Sequence, residues 1–178
     1  VDTAHQLGLK VASHAHGPRG VEAAARAGVD SIEHGTYVDD AGIRAMKANG
    51  TFLVPTLSPT IAYRENLPKG LYTPVVAAKI KVRLEATGKN IAAARRAGLP
   101  IAYGTDSGVS EHGRNAEEMP LMVQYGGMSA QEVVVSATRT AAELLGLENE
   151  IGRLAPGFSA DIIGVRGNPL EDLGALQR

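Results

Sequence analysis

The chain has 178 residues, with 18 Lys and Arg against 19 Asp and Glu, and its formal net charge of −1 argues against a nucleic-acid-binding protein. Apolar residues make up 44% of the chain, which excludes wholesale disorder, and the absence of cysteine excludes disulfides, thiolate metal sites and a cysteine nucleophile. No apolar run is long enough to span a membrane and no leader opens the chain. We therefore expect a cytoplasmic protein, although a leader could be lost with a missing N-terminus.

Short apolar segments alternate with alanine-rich helical segments over residues 1–146. The apolar segments predict parallel strands at 9–13, 29–33, 51–56 and 99–103. Helices are predicted at 1–7, 20–27, 41–48, along the stripe Val76, Ile80, Leu84 and Ile91, at 115–124, and from Ser129 to Leu145. The last of these helices begins with a capping box. Residues 59–74 show no clear period and predict a long loop. The alternation predicts an α/β fold.

The remaining residues, 147–178, have a different character. Gly152, Pro156 and Gly157 precede an apolar segment at 160–165, which predicts one short strand. We therefore expect this segment to begin a small β appendage to the α/β body.

Polar side chains follow three of the four predicted strands. His14 and His16 follow the first strand, His34 follows the second, and Asp106 follows the fourth. The carboxyl ends of parallel strands meet at one edge of a sheet, so these side chains are expected to converge. Glu33, next to His34, is expected to face the helices instead.

Two imidazoles and a carboxylate are the usual ligands of a hydrolytic Zn²⁺. Such a metal lowers the pKa of water, and an Asp beside that water can take its proton. His16 is a ligand, a substrate contact or a hydrogen-bond donor behind the ligands, and the sequence does not choose among these roles. His112, in the loop after Asp106, is either solvated or a substrate contact.

Two other functions have to be weighed against a metal site. The first is a non-catalytic α/β module whose histidines are satisfied by ordinary hydrogen bonds. The second is a phosphate-binding barrel enzyme, which is disfavoured because no Gly-rich turn between strand and helix pairs with a basic residue.

The segments that carry these residues resemble a known family. VASHAHG, GVDSIEHG and AYGTDSG, with the tail GRLAPGFSADIIGVRGNPLEDL, are similar in order and spacing to the amidohydrolase superfamily. The resemblance is to its imidazolonepropionase-like branch, which includes Xaa-Pro dipeptidases and related metallo-carboxypeptidases. It implies a TIM-type (β/α)₈ barrel with a metal centre at the carboxyl ends of its strands, followed by a small β-sandwich.

The resemblance also implies roles for individual residues. His14 and His34 match the metal ligands after strands five and six, and Asp106 matches the strand-eight acid that binds metal and transfers the proton of the attacking water. His16 and His112 match substrate-side positions. The implied cofactor is a divalent metal, most often Zn²⁺ and binuclear in the intact family. The implied reaction is hydrolysis of an amide or peptide bond in a small peptide or acyl-amino acid.

A full barrel needs about 250 residues. The family's HxH pair after strand one and its carboxylated Lys after strand four have no counterpart here. The resemblance therefore implies the C-terminal half of a barrel at 1–146 and a truncated β subdomain at 147–178. A half-barrel is expected to be a poor catalyst alone. Its open sheet edges also predict a homo-oligomer or association with the missing half.

Overall fold

The computed structural model describes residues 1–177. Three short strands are present in this part of the chain, namely β1 (Ala12–Ala15), β2 (Ser31–His34) and β3 (Phe52–Val54). The helices are α1 (Asp2–Gln6), α2 (Pro18–Arg26), α3 (Asp40–Asn49), α4 (Pro59–Asn66), α5 (Pro74–Glu85), α6 (Lys89–Ala97), α7 (Glu118–Gly126), α8 (Ala130–Ala137) and α9 (Arg139–Leu145), with 3₁₀ helices at Asn115–Glu117 and Leu173–Gln177. The predicted α/β class is confirmed.

The strands form one parallel sheet in the order β1-β2-β3. The predicted fourth strand is reduced to a single parallel bridge between Leu53 and Ile101. Two hydrogen bonds hold it: Leu53 N donates to Pro100 O at 3.0 Å, and Ala102 N donates to Leu53 O at 2.9 Å. The ladder stops there because proline has no N–H to donate and the N–H of Tyr103 bonds to Ser136 O.

The core lies between this sheet and the helices that follow its strands. Ile32 of β2 and Leu53 of β3 are fully buried, and they belong to one cluster with Val21 of α2, Met46 of α3 and Ile91 of α6. Burying an aliphatic side chain of this size contributes about 1.5–3 kcal/mol. This packing fixes the helices against the sheet, so the carboxyl ends of the strands form a defined edge.

Residues 59–74, predicted as a loop, contain a helix, so that prediction was wrong. Helix α4 begins at Pro59, a residue with a preset φ and no N–H to leave unsatisfied in the first turn. Its first turn is buried at Pro59 and Thr60. The prediction gave too much weight to proline as a helix breaker and too little to proline as a first helical residue.

Two helices predicted as continuous are divided. Along the stripe that starts at Val76, the chain breaks between α5 and α6 at Gly88, whose φ is +77°. The capping box is confirmed, since Glu132 N donates to Ser129 Oγ at 3.2 Å and Ser129 N donates to Glu132 Oε2 at 2.7 Å. The helix it starts ends at Thr138, where φ is −124° and ψ is −87°, and α9 begins one residue later.

The strand predicted at 160–165 is not formed in the described residues. Ile162 and Ile163 are 64% and 75% exposed, and no neighbouring strand takes their backbone hydrogen bonds in this part of the chain. An extended segment becomes a strand only when another strand pairs with it. None of the helices within residues 1–177 combines the length and the apolar character needed to cross a bilayer.

Candidate metal centre

Three histidine rings meet at the carboxyl ends of β1 and β2. One ring nitrogen from each of His14, His16 and His34 lies within 4.8 Å of the other two, which makes these residues a group that could hold a metal ion. The ring centroids of His14 and His34 are 4.5 Å apart, and those of His16 and His34 are also 4.5 Å apart and nearly stacked. The expected convergence of His14 with His34 is thus present in the structure, and His16 joins them.

The backbone at these strand ends is unusual. Within residues 1–177, the non-glycine residues with positive φ are His34 at 74°, Thr56 at 46° and Asp106 at 54°. The left-handed region is unfavourable for residues with a Cβ, and such strained positions concentrate at functional sites. Each of them follows or ends a strand segment at the same edge of the sheet.

This backbone turn explains how the rings of His14 and His34 come to meet. In the sheet register His14 pairs with Glu33, and Ala15 pairs with His34. Paired residues of neighbouring strands point to the same face, so a regular strand would place His34 on the face opposite to His14. The positive φ of His34 breaks that alternation. The same register places Glu33 on the face of His14, so the expectation that it faces the helices was wrong.

Hydrogen bonds indicate which nitrogen of His34 carries the proton and which carries the lone pair. Thr56 Oγ1 donates its single proton to Pro55 O at 2.9 Å, and it lies 2.5 Å from His34 Nδ1. The hydroxyl therefore accepts from Nδ1–H, and the lone pair of His34 resides on Nε2. Nε2 points at His14 Nδ1, 2.9 Å away. A hydrogen-bonded second nitrogen of this kind is typical of metal-binding histidines.

Burial keeps two of these rings neutral, the state in which imidazole binds metals. Burial lowers the pKa of His34 to about 3, helped by the neighbouring His16, His14 and Arg83. Burial also lowers the pKa of His16, as do Arg83 and His14, while Asp106 acts in the opposite direction. His16 Nδ1 is in turn 2.8 Å from Thr36 Oγ1.

The donor set fits a divalent metal of the zinc type. Imidazole nitrogens bind Zn²⁺ at about 2.0–2.1 Å, so two such bonds span the 2.9 Å between His14 Nδ1 and His34 Nε2. The three imidazoles, two of which have a threonine hydroxyl behind the ring, form a site with ligands and supporting partners. Nickel, iron and manganese accept the same ligand types, so the metal's identity is open.

Asp106 lies outside the group of three histidines but close to it. Its carboxylate acts on the pKa of His16, and it adds to the raised pKa of Glu33, for which burial is the main cause. The residues on either side of Asp106, Thr105 and Ser107, both accept from Asn115 Nδ2, at 3.2 and 2.7 Å. Asp106 as a metal ligand and proton acceptor remains a prediction. So does His112, which is exposed in the loop that follows.

Sequence reasoning missed several residues near the site. Arg83 of α5 acts on the pKa of both His16 and His34, and its guanidinium lies 5.3 Å from the centre of the Tyr63 ring. With His16 and Tyr37, these two residues line a pocket of about 240 Å³ beside the rings. A cation on a helix has no local signal that distinguishes it from ordinary surface lysines and arginines.

Comparison with known proteins shows the family of this chain. The amidohydrolase family model matches residues 1–178, so the chain belongs to the amidohydrolase family. Ochratoxinase from Aspergillus niger is 33% identical over 178 residues, and imidazolonepropionase from Stenotrophomonas maltophilia is 34% identical over 165 residues. A solved structure of an Xaa-Pro dipeptidase with methionine bound in its active site superposes with a TM-score of 0.92 at 39% identity. The resemblance to the imidazolonepropionase and dipeptidase branch is confirmed.

The chain spans well under half of the length of these relatives. The matched region covers 99% of this chain but 36% of ochratoxinase, and 89% of this chain but 35% of imidazolonepropionase. For the dipeptidase structure the two shares are 99% and 43%.

Proposed function

We propose that this chain is part of a metal-dependent hydrolase of amide or peptide bonds. In that enzyme, the residues at the carboxyl ends of its strands supply part of the metal centre. The observation that carries the proposal is the meeting of three imidazoles within 4.8 Å at the carboxyl ends of parallel strands. We further propose that these residues contribute the C-terminal half of a barrel, because they match less than half of each relative.

In this proposal His14 Nδ1 and His34 Nε2 hold a divalent metal, with Zn²⁺ the best match to the donors, and Asp106 completes the ligands. When bound, the metal polarises the substrate carbonyl and acidifies water. Asp106 accepts the proton of the attacking water and passes it to the leaving amine. Thr56 and Thr36 hold the rings of His34 and His16 in place.

The pocket next to His16 supports a proposal for the substrate class. Arg83 and Lys79 bring positive charge to a pocket whose other walls include Tyr37 and Tyr63. A carboxylate satisfies such a cation, and an apolar side chain or ring suits the aromatic walls. We therefore propose a dipeptide or acyl-amino acid, with its free carboxylate toward Arg83. His16 lines this pocket and is proposed as a substrate-side histidine, and His112, in the loop after Asp106, is proposed as a second substrate contact.

One observation favours a second candidate, a non-catalytic α/β module. The 2.9 Å contact between His14 Nδ1 and His34 Nε2 is also an acceptable hydrogen bond between the two rings. Together with the threonine hydroxyls, it satisfies most of the ring nitrogens without any metal. Metal binding separates the two candidates, because histidines that serve only as structural hydrogen-bond partners are expected to bind no metal ion.

The reaction is tested with the gene product in full and a library of dipeptides and N-acyl-amino acids, assayed with Zn²⁺ supplied. Asp106→Asn should lower kcat/KM by about 10²–10⁴-fold, because a positioned acid–base group contributes this much. Asp161→Asn, which removes the same charge from an exposed position in the tail, should leave kcat/KM unchanged. Equal activity of Asp106→Asn and the wild type would contradict the proposed role.

A further inference from the structure

Glu118 is a fully buried acid at the start of α7, and the proposed reaction does not use it. Its Oε1 accepts from Leu57 N at 2.7 Å, and its Oε2 accepts from Ser58 N at 2.5 Å and from Ser58 Oγ at 2.6 Å. Every one of these partners lies in the segment between β3 and α4. A side chain from a distant part of the chain therefore pins that segment.

The pinned segment also carries the hydroxyl that holds His34. Thr56, directly before Leu57, has a positive φ, and its Oγ1 contacts His34 Nδ1. Because a strained backbone persists only where its surroundings hold it, the two N–H groups fixed by Glu118 keep Thr56 in this conformation. The connection runs from Glu118 through the backbone of 57–58 to Thr56, and from its hydroxyl to the ring of His34.

The chemistry of this contact requires a carboxyl group. Two backbone N–H groups, which can only donate, each end on a different oxygen of Glu118. Burial raises the pKa of Glu118 to about 7, although the bonds from Ser58 and Leu57 and the charge of Arg83 lower it. Either protonation state keeps both backbone bonds, since a proton on Oε2 can be donated to Ser58 Oγ. A glutamine cannot, because its NH₂ group would face one of the backbone donors.

We infer that Glu118 is a positioning residue of the metal centre, which holds Thr56 so that His34 keeps its proton on Nδ1 and presents Nε2 to the metal. That Nε2 binds a metal rests on the proposed function. That His34 carries its proton on Nδ1 does not, because this tautomer is set by the contact with Thr56 and needs no metal. Groups that hydrogen-bond a metal ligand, as Thr56 does with His34, change metal affinity by about 10–100-fold when removed, and Glu118 acts through such a group.

The first test measures the tautomer of His34 in the metal-free protein by ¹⁵N–¹H correlation NMR of the histidine side chains. The wild type and Glu117→Gln should both show the Nδ1–H form, whereas Glu118→Gln should show a mixture of the two tautomers. Glu117→Gln is the matched control, because it removes one negative charge at the neighbouring position, where Glu117 pairs with Arg114. An unchanged Nδ1–H form in a folded Glu118→Gln protein overturns the inference.

The second test measures Zn²⁺ affinity by competition with a chromophoric chelator. Glu118→Gln should bind Zn²⁺ about tenfold more weakly than the wild type. Thr56→Val should show a similar loss, and the double variant should lose little more than either, because both changes act on the same contact. A purely structural Glu118 would lower the melting temperature and leave the affinity of the folded protein unchanged, which overturns the inference.

Two further outcomes are informative. If Glu118→Gln does not fold, Ser58→Ala removes one of the three donors without altering the backbone. It should weaken Zn²⁺ binding by a few fold, and an unchanged affinity counts against the inference. If the wild type binds no Zn²⁺, the proposed function fails. The NMR comparison of Glu118→Gln, or of Ser58→Ala in its place, still decides whether Glu118 sets the tautomer of His34.

Discussion

At the scale of the residue, the sequence predicted that His14 and His34 lie close together, but it did not predict the backbone conformation and hydrogen bonds that position their rings. The principle that parallel strands end at one edge was enough to expect that these side chains would be close. The positive φ of His34 and the contact of the Thr56 hydroxyl with its ring could not be predicted, because neither histidine nor threonine is a sequence signal for a left-handed backbone. The same turn is why alternation along β2 gave the wrong face for Glu33.

Glu118 shows the same difficulty for a single side chain. In the sequence it is one acid near the start of a predicted helix, where acids are common because they favour the helix dipole. Its real partners are Leu57 and Ser58, some sixty positions earlier in the chain. Contacts across such a separation depend on how helices pack on the sheet, which local patterns do not contain.

Asp30, at the opposite end of the sheet, provides a prediction about acid stability. Although burial alone would raise its pKa, hydrogen bonds from His5, Val11 N and Lys10 lower it from 3.8 to about 2. A carboxyl group with a lowered folded-state pKa stabilises the fold above its unfolded pKa, and this contribution is lost as the pH falls from about 4 to about 2. Because the partners His5 and Lys10 are exposed to solvent, which screens these interactions, we expect the Asp30 carboxylate to stabilise the fold by only about 1–2 kcal/mol.

The measurement is the free energy of unfolding in urea at pH 5 and pH 2. The wild type should lose more stability between these two pH values than Asp30→Asn, whose side chain does not titrate. A control, Glu22→Gln, replaces an acid whose partner Arg26 is mostly exposed, and it should follow the wild type. Identical pH dependence of Asp30→Asn and the wild type would show that these bonds do not stabilise the fold.

At the scale of the element, helix existence was easier to predict than helix continuity. The apolar stripe that starts at Val76 and the capping box at Ser129 both mark real helices. The break at Gly88 lies where the chain packs closely against Tyr125, and a periodic pattern does not record that contact. Strand length was also hard to predict. A ladder of hydrogen bonds ends where the backbone N–H groups have other partners, as Tyr103 N does with Ser136 O.

The break between α5 and α6 is open to a direct test. A Cβ on Gly88 would lie 2.1 Å from Tyr125 O, and its φ of +77° is unfavourable for other residues. Gly88→Ala should therefore lower the free energy of unfolding by at least about 1–3 kcal/mol, measured by urea denaturation. Gly98→Ala is the control, with a φ of +69° and nothing within 4 Å of the added Cβ. It should cost about 1 kcal/mol, and an equal loss in both variants would contradict the role of the Tyr125 contact.

At the scale of the whole molecule, the structure exposes an unpaired strand edge and several apolar side chains. Strand β1 lies at one edge of the sheet, and Leu154, Ile162 and Ile163 are more than 60% exposed in the tail. Open strand edges pair with other chains unless they are covered. We therefore propose that copies of this chain, made alone, associate with one another through the sheet edge, which the rest of a barrel would cover if it were present.

Size-exclusion chromatography with light scattering tests this association. The chain should elute as species heavier than the 18.5 kDa of one copy. Ile163→Asp serves as a control, because it makes the exposed tail polar and leaves the edge of β1 intact. Association that persists in this variant supports the edge. A uniform monomer in the wild type contradicts the proposal, and association lost in Ile163→Asp assigns the contact to the tail.

The whole account depends on a metal ion bound by the rings of His14 and His34. Isothermal calorimetry with Zn²⁺ measures this binding directly in the wild type, in the double variant His14→Ala/His34→Ala, and in His5→Ala, which removes a histidine distant from the cluster. We predict saturable Zn²⁺ binding to the wild type and to His5→Ala, and its loss in the double variant. A wild type that binds no Zn²⁺, or a double variant that binds it equally well, would contradict the account.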